Sequence, residues 1–433
     1  MTTPSNPQDA QKAQIRRLMI FFALVYVAEG LGQVGGLISQ PLNYYFVKGL
    51  GWQADRITEY LAILTFPWVI KPLYGLVSDF VPLLGYRRRT YLFAANGLAV
   101  AAYLWLTGIT APGQIVFALL LTAFGMAISS TLCGAVMVEN GKKTGMNSSF
   151  VNQQWLWFYI ATVITSFAGG WLCQHASPAG AFHSAALIVA LAPIGVMLGC
   201  WFLVQEEKAR INMEGLKASG LGFWKALKSK TLWVVGFFLF FYNFSPSFGT
   251  PLYVYMTNQL EFSQDFIGIL GAIGATGAIV GSLVYMWLQR RMTLKALLNL
   301  SILLGTVGQG SYLLLGSPTS AVILGFVNGV FGMIALVASL TLAADYCPDK
   351  AEGFSYALLM SLNNLAGQLS ANVGAYLYVH TFSNRLSPLI IVSAAFTAAA
   401  FLLVPMLRLG NRRPGQKVDD QGSGAGPQGS DGK

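Results

Sequence analysis

Stretches of roughly 20 apolar residues, each long enough to cross a hydrocarbon core about 30 Å thick as a helix, recur along the whole of this chain. A bilayer offers backbone amides no water, so such stretches must satisfy their own hydrogen bonds, and helices do so. The expected spans run over 18–40, 57–77, 90–110, 113–137, 150–173, 182–204, 232–257, 264–289, 294–315, 317–343, 354–379 and 386–408. Composition agrees, because 55% hydrophobic and 10% charged residues over 433 positions leave too few charges to cover a water-soluble globule. The expectation is an all-α polytopic membrane protein with twelve transmembrane helices.

Charge placement orients those spans. If both termini share one side, all of the 27 Lys and Arg fall in loops on that side except Lys48, Arg56, Arg385 and the in-span Lys71. Positive loops stay in the cytoplasm, so both termini are expected there, with a bacterial inner (plasma) membrane as the default location. The net charge of +10 then reports topology and contact with anionic lipid, and calls for no nucleic-acid partner. No cleavable signal peptide is expected, since the first apolar segment is longer than a signal core and lacks a small-residue cleavage motif. Cys133, Cys173, Cys200 and Cys347 are scattered without metal spacing and read as packing residues.

An internal repeat divides the chain. A shift of 210 lays Pro41, Leu42, Tyr45, Leu50, Asp55 and Ile57 on Pro251, Leu252, Tyr255, Leu260, Asp265 and Ile267 without a gap. The implied organisation is a tail at 1–17, a six-helix bundle at 18–204, a cytoplasmic linker at 205–231, a second six-helix bundle at 232–408 and a disordered tail at 409–433. Two parallel six-span halves are the layout of the major facilitator fold, which holds its solute between the halves near mid-membrane.

Three stretches carry a family resemblance. KPLYGLVSDFVPLLGYRRRTYL at 71–92, NFSPS at 243–247 and CPDKAEGFSYALLMSLNNLAGQLSANVGA at 347–375 resemble the folate-biopterin transporter family. The resemblance implies that Asp79 engages the start of the eleventh span and that Arg87, Arg88 and Arg89 engage acidic span ends. Glu139 and Asp345, at the ends of the fourth and tenth spans, are the acids available, or else solvated loop charges. The chain departs from the family pattern ahead of Glu139, where Ser130 and Gly134 stand in place of aspartates. Physically, Asp79 can accept from the free amides that open the eleventh span, where the helix dipole favours an anion. Its alternative is a plain solvated loop.

Charges within spans mark the candidate site. Glu29 lies about 17 Å into the first span at 1.5 Å per residue, where a carboxylate must pair, take up a proton or face water. Tyr26, Glu29, Gln33, Gly36 and Gln40 recur at helical spacing and suggest one polar stripe. Glu29 is the candidate for proton coupling, against a purely structural pairing with Lys71. Lys71 itself either snorkels outward or faces the cavity as a counter-charge. Ser361, Asn364, Gln368 and Asn372 form a second stripe whose amides suit a heterocycle, or else bond neighbouring helices. In the seventh span, interrupted by Pro246, Gly249 and Pro251, Tyr242, Asn243 and Tyr253 are candidates to hold a flat ring.

Other chemistries lack support. His175, His183 and His380 have no ligand spacing, no GxxxxGK[ST] motif occurs, and no nucleophile stands beside a base, so neither an enzyme nor a metal or other cofactor is expected. The expected function is a monomeric secondary transporter of a small organic solute, folate- or pterin-like or otherwise carboxylated, coupled to protons. A permease for a siderophore or peptidoglycan fragment shares these features, and a non-transporting sensor or assembly factor on the same fold remains an alternative.

Overall fold

A computed structural model describes residues 7–409 apart from 34, 145–146, 205, 207, 211–226 and 347–351. The chain is helical, and the single β-bridge among the described residues, Leu83 with Tyr86, closes a tight hairpin. Helix α1 (Pro7–Gly32) is followed by α2 (Ser39–Tyr44), which runs on into a wide turn at Tyr45–Gly49. Then come α3 (Ala54–Leu61), a tight turn at Ala62–Thr65, α4 (Phe66–Val69) and α5 (Lys71–Phe80). Long helices α6 (Arg89–Leu106), α7 (Pro112–Thr144), α8 (Asn147–His175) and α9 (Pro178–Leu203) complete the first half of the chain. The second half holds α10 (Lys230–Asn243), α11 (Gly249–Asn258), α12 (Gln264–Leu288), α13 (Leu294–Ser311), α14 (Pro318–Asp345), α15 (Glu352–Tyr376) and α16 (Leu386–Ala399).

Local chemistry explains the helix starts. Ser177, Ser263 and Thr293 each accept a hydrogen bond from the amide three residues on, at 3.2, 3.2 and 3.3 Å, and Pro178 and Pro318 occupy first-turn positions where a missing N–H costs nothing. Among the described residues, eight helical segments are long and apolar enough to cross a membrane. Their outward faces carry Leu191, Phe202 and Leu402 at 67, 71 and 79% exposure, which suits lipid and would be costly in water. The protein is a multi-pass membrane protein.

The first expected span is not one helix. α1 ends at Gly32, and the chain turns through Gln33–Ile38, with the Gly36 amide on the Gln33 carbonyl at 2.7 Å. A Cβ at Gly36 would run into the carbonyl oxygens of Gly30 and Leu31, so the break depends on glycine. The Tyr26–Gln40 stripe therefore does not continue as a single helical face. The second half repeats the break between α10 and α11, and the shift of 210 carries the start of α2 onto that of α11 and the start of α3 onto that of α12. Lys48 Nζ donates to Asn258 Oδ1 at 2.8 Å, joining residues 210 apart.

Packing follows the same division. α6 packs on α7 and α9, and α1 on α8 and α9; in the second half α14 packs on α12 and α13, and α10 on α15. The two sets meet where α8 lies along α12 and where α15 lies along α3, α4 and α5. At the first seam the backbones touch: a Cβ on Gly268 would fall 2.9 Å from Gly170 Cα. Gly268→Ala is expected to cost about 1–3 kcal/mol, because backbone must shift to admit the methyl. Thermal unfolding in detergent checks this, with Gly274→Ala, whose Cβ meets Gly325 at an ordinary 3.6 Å, as the unaffected control.

Candidate functional site

Glu29 from α1, Lys71 at the start of α5 and Ser130 from α7 meet in one cluster. Ser130 Oγ donates to Glu29 Oε1 at 3.2 Å and accepts from Lys71 Nζ at 3.3 Å, so a single hydroxyl links acid and base. The second carboxylate oxygen, Glu29 Oε2, is buried with no hydrogen-bond partner. A buried, unpartnered carboxylate oxygen is costly, and a proton or a donor group of a bound solute can be placed there. Lys71 Nζ also lies 4.3 Å from the centre of the Trp68 ring, where the π face holds the ammonium. That contact settles where Lys71 points in this conformation. It turns inward to Ser130 and Trp68.

Trp68 joins this cluster to the stripe on α15. Asn364 Nδ2 reaches the Trp68 carbonyl at 3.5 Å. Gln368 accepts from Thr65 Oγ1 at 2.7 Å and donates to Asn372 Oδ1 at 3.2 Å. These amides thus bond the irregular stretch 62–69 of the other half of the chain, and Ser361 satisfies itself on the Ala357 carbonyl at 2.9 Å. The tight turn at Ala62–Thr65 makes this contact possible.

Other expected residues are placed elsewhere. Tyr26 is 1% exposed and donates to Met137 Sδ at 3.3 Å within an apolar cluster. Three residues fall short of a full turn of about 3.6, and the roughly 60° left over turns Tyr26 toward Met137 of α7. Gln33 sits in the break after α1, half-buried. Tyr242 donates to the Ser301 carbonyl at 3.1 Å and stacks on Phe238, while Asn243 bonds the Leu239 carbonyl of its own helix at 2.9 Å. Both are spent within the second half. Tyr253 is buried against Gln264 Oε1 at 3.1 Å, far along the chain from Glu29.

The arginine run is held at the junction of α5 and α6. Arg88 Nη1 bonds Ser78 Oγ, and Arg89 lies over Trp201 at 4.8 Å with Nη2 on its carbonyl at 3.1 Å, while the Arg87 side chain is exposed. The backbone amides of Arg87, Arg88 and Arg89 converge on the Glu206 carboxylate at 2.7 to 3.1 Å. A carboxylate accepting the free amides at a helix start is favoured by charge and dipole together. Glu206 had no assigned role in the sequence, although an acid just past a span and close to a positive loop is the signal that finds it. The side chains of Asp79 and Glu139 lie outside the described residues; Asp345 ends α14, half-buried. No group of His, Cys, Asp and Glu able to hold a metal occurs among the described residues.

The end of the molecule remote from α1's first turn is fastened between the halves. Gln40 Nε2 donates to the Gln264 carbonyl at 2.8 Å, Gln174 Oε1 accepts from the Gln264 amide at 3.2 Å, and His380 Nε2 lies 2.7 Å from Asp55 Oδ2.

Comparison with known proteins decides the family. The model of the BT1 family matches residues 31–423. The chain belongs to the BT1 family. A folate-biopterin transporter of Synechocystis is 26% identical over 420 residues, covering 92% of this chain and 83% of its own. Folate transporter 1 of Plasmodium falciparum is 26% identical over 362 residues, covering 79% and 68%. Among solved structures, a D-xylose-proton symporter superposes with a TM-score of 0.71 at 13% identity, over 93% of this chain and 100% of that one. The nucleoside transporter NupG gives 0.67 at 15% identity, over 92% and 98%. Those likenesses establish the major facilitator-like fold, and this BT1-family chain is a membrane transporter, with no enzymatic role.

Proposed function

We propose that the chain is a proton-coupled secondary transporter that moves folate- or pterin-like, carboxylated solutes by alternating access. The supporting observation is the Glu29–Ser130–Lys71 cluster, in which a protonatable acid with an open oxygen and a cation share one hydroxyl. Through Trp68 the cluster borders the amide stripe of the other half, so a solute between them touches both. The names of the relatives support the solute class, since those proteins are folate and folate-biopterin transporters.

In this reading twelve helices cross the membrane as two six-helix bundles, 18–204 and 232–408, with both termini cytoplasmic in a bacterial inner membrane and the chain acting as a monomer. The fastenings at Gln40, Asp55 and Gln264 then lie at the extracytoplasmic face, consistent with a state closed to the outside. Asp79, Arg87, Arg88, Arg89, Glu139 and Asp345 gate the cytoplasmic face. Proteoliposomes carrying an inward proton gradient test the function: labelled folic acid should accumulate and collapse with a protonophore. Absence of gradient-dependent accumulation of folic acid and of pterin, alongside uptake of a siderophore or a muropeptide, overturns the solute class.

A further inference from the structure

A cavity of about 410 Å³ opens between the halves at the fastened end, within the size range of small-molecule sites. Trp52 and Gln53 line it from the first half, and Asn258, Gln259, Tyr378 and Asn384 from the second. It lies beside the contact of Lys48 with Asn258. The sequence places three Lys and Arg at this end, Lys48, Arg56 and Arg385, and each adjoins a residue that lines the cleft. Lys48 bonds a lining residue, the Arg56 guanidinium stands 4.2 Å over the ring of lining Trp52, and Arg385 follows lining Asn384.

None of the three cations has a carboxylate within ion-pair reach among the described residues. Lys48 is satisfied by a neutral amide and Arg56 by an indole face. The nearby acid Asp55 is taken by His380. Trp52 is itself fixed, stacked on Phe46 at 4.8 Å and edge-on to Tyr60 at 5.0 Å, so it holds Arg56 in place. Pre-positioned cations without anions, around a cleft walled with primary amides, match a small anion that also carries hydrogen-bonding groups.

We propose that this cleft is an outer docking site for a carboxylated organic solute, distinct from the Glu29 cluster and occupied before the carrier opens on that side. Lys48 and Arg56 hold the carboxylates, and Gln53, Asn258 and Gln259 bond the polar remainder. An ammonium is attracted more strongly by a carboxylate's full charge than by an amide dipole, so an arriving carboxylate draws Lys48 away from Asn258 and removes a bond that joins the halves. Docking thereby loosens the closed face. The inference rests on the transporter reading and on that end facing outward.

The test is protection from labelling. Gln53→Cys is made in a Cys347→Ser background, since the remaining cysteines Cys133, Cys173 and Cys200 are buried. Right-side-out vesicles are treated with a membrane-impermeant maleimide, with and without folic acid. Folic acid should slow labelling, and Lys48→Gln or Arg56→Gln should raise the concentration needed by about tenfold, with Lys48→Arg restoring protection. Absence of protection, equal protection in the charge variants, or labelling only from the cytoplasmic side overturns the site. Protection in a protein that accumulates no folic acid leaves the docking site standing and removes the transport reading instead.

Discussion

Replacing Glu29 by glutamine is expected to abolish uphill uptake while leaving exchange of solute across the membrane intact. One proton moving down a pH difference equivalent to 100 mV, which acts whatever the charge of the solute, carries about 2.3 kcal/mol, enough for roughly a 50-fold accumulation of a solute coupled to it. Glutamine keeps the shape and can still accept from Ser130, so the helices should stay assembled; what it loses is the oxygen that takes a proton. Accumulation in proteoliposomes should fall to an inside-to-outside ratio of about one, while counterflow of preloaded solute continues. Uphill uptake surviving in the variant would remove Glu29 from the coupling step. Ser130→Ala separates linkage from protonation: it deletes the hydroxyl between Glu29 and Lys71 yet keeps both charges, so coupling should persist with altered affinity.

Much of this architecture was legible in the residues, because the bilayer leaves few choices. The shift of 210 that aligned six residues in sequence also aligns the starts of α2 with α11 and of α3 with α12, since a duplicated pattern of prolines, glycines and apolar runs restarts its helices at equivalent places. The break at Gln33–Ile38 was hidden by its hydrophobicity: Leu31, Leu37 and Ile38 read as span, and only the cluster of Gly32, Gly35 and Gly36 hints at the turn. Site residues were legible by charge and not by direction. Glu29 and Lys71 stood out because lipid tolerates neither alone, whereas the link of Ser130 to both and the Trp68 ring under Lys71 emerge only when the helices are in place. Helical periodicity gives a stripe but not its width, and about 60° of rotation separates Glu29 from Tyr26, which packs on Met137.

Glu206→Ala is expected to release the hairpin between α5 and α6. The carboxylate accepts from three consecutive amides that open α6, and the Ala209 amide on the Gly85 carbonyl at 2.9 Å reinforces the same junction. Water can replace part of these bonds at a half-exposed site, so the loss should amount to about 1–2 kcal/mol, in the range of a helix cap. The readout is trypsin, whose preferred bonds follow Arg87, Arg88 and Arg89: local opening that is easier by about 1.4 kcal/mol raises cleavage there about tenfold. Glu206→Gln, with one acceptor oxygen left, should fall between. Unchanged cleavage in both variants would mean that the Arg88 and Arg89 side chains, on Ser78 and Trp201 among others, hold the hairpin without Glu206. The distinction bears on transport, because a hairpin bound to the segment after α9 moves with the first half of the chain as one piece. Freed from Glu206, the hairpin loses its tie to the residues that follow α9, and with it one link between α9 and α5, which Lys71 heads.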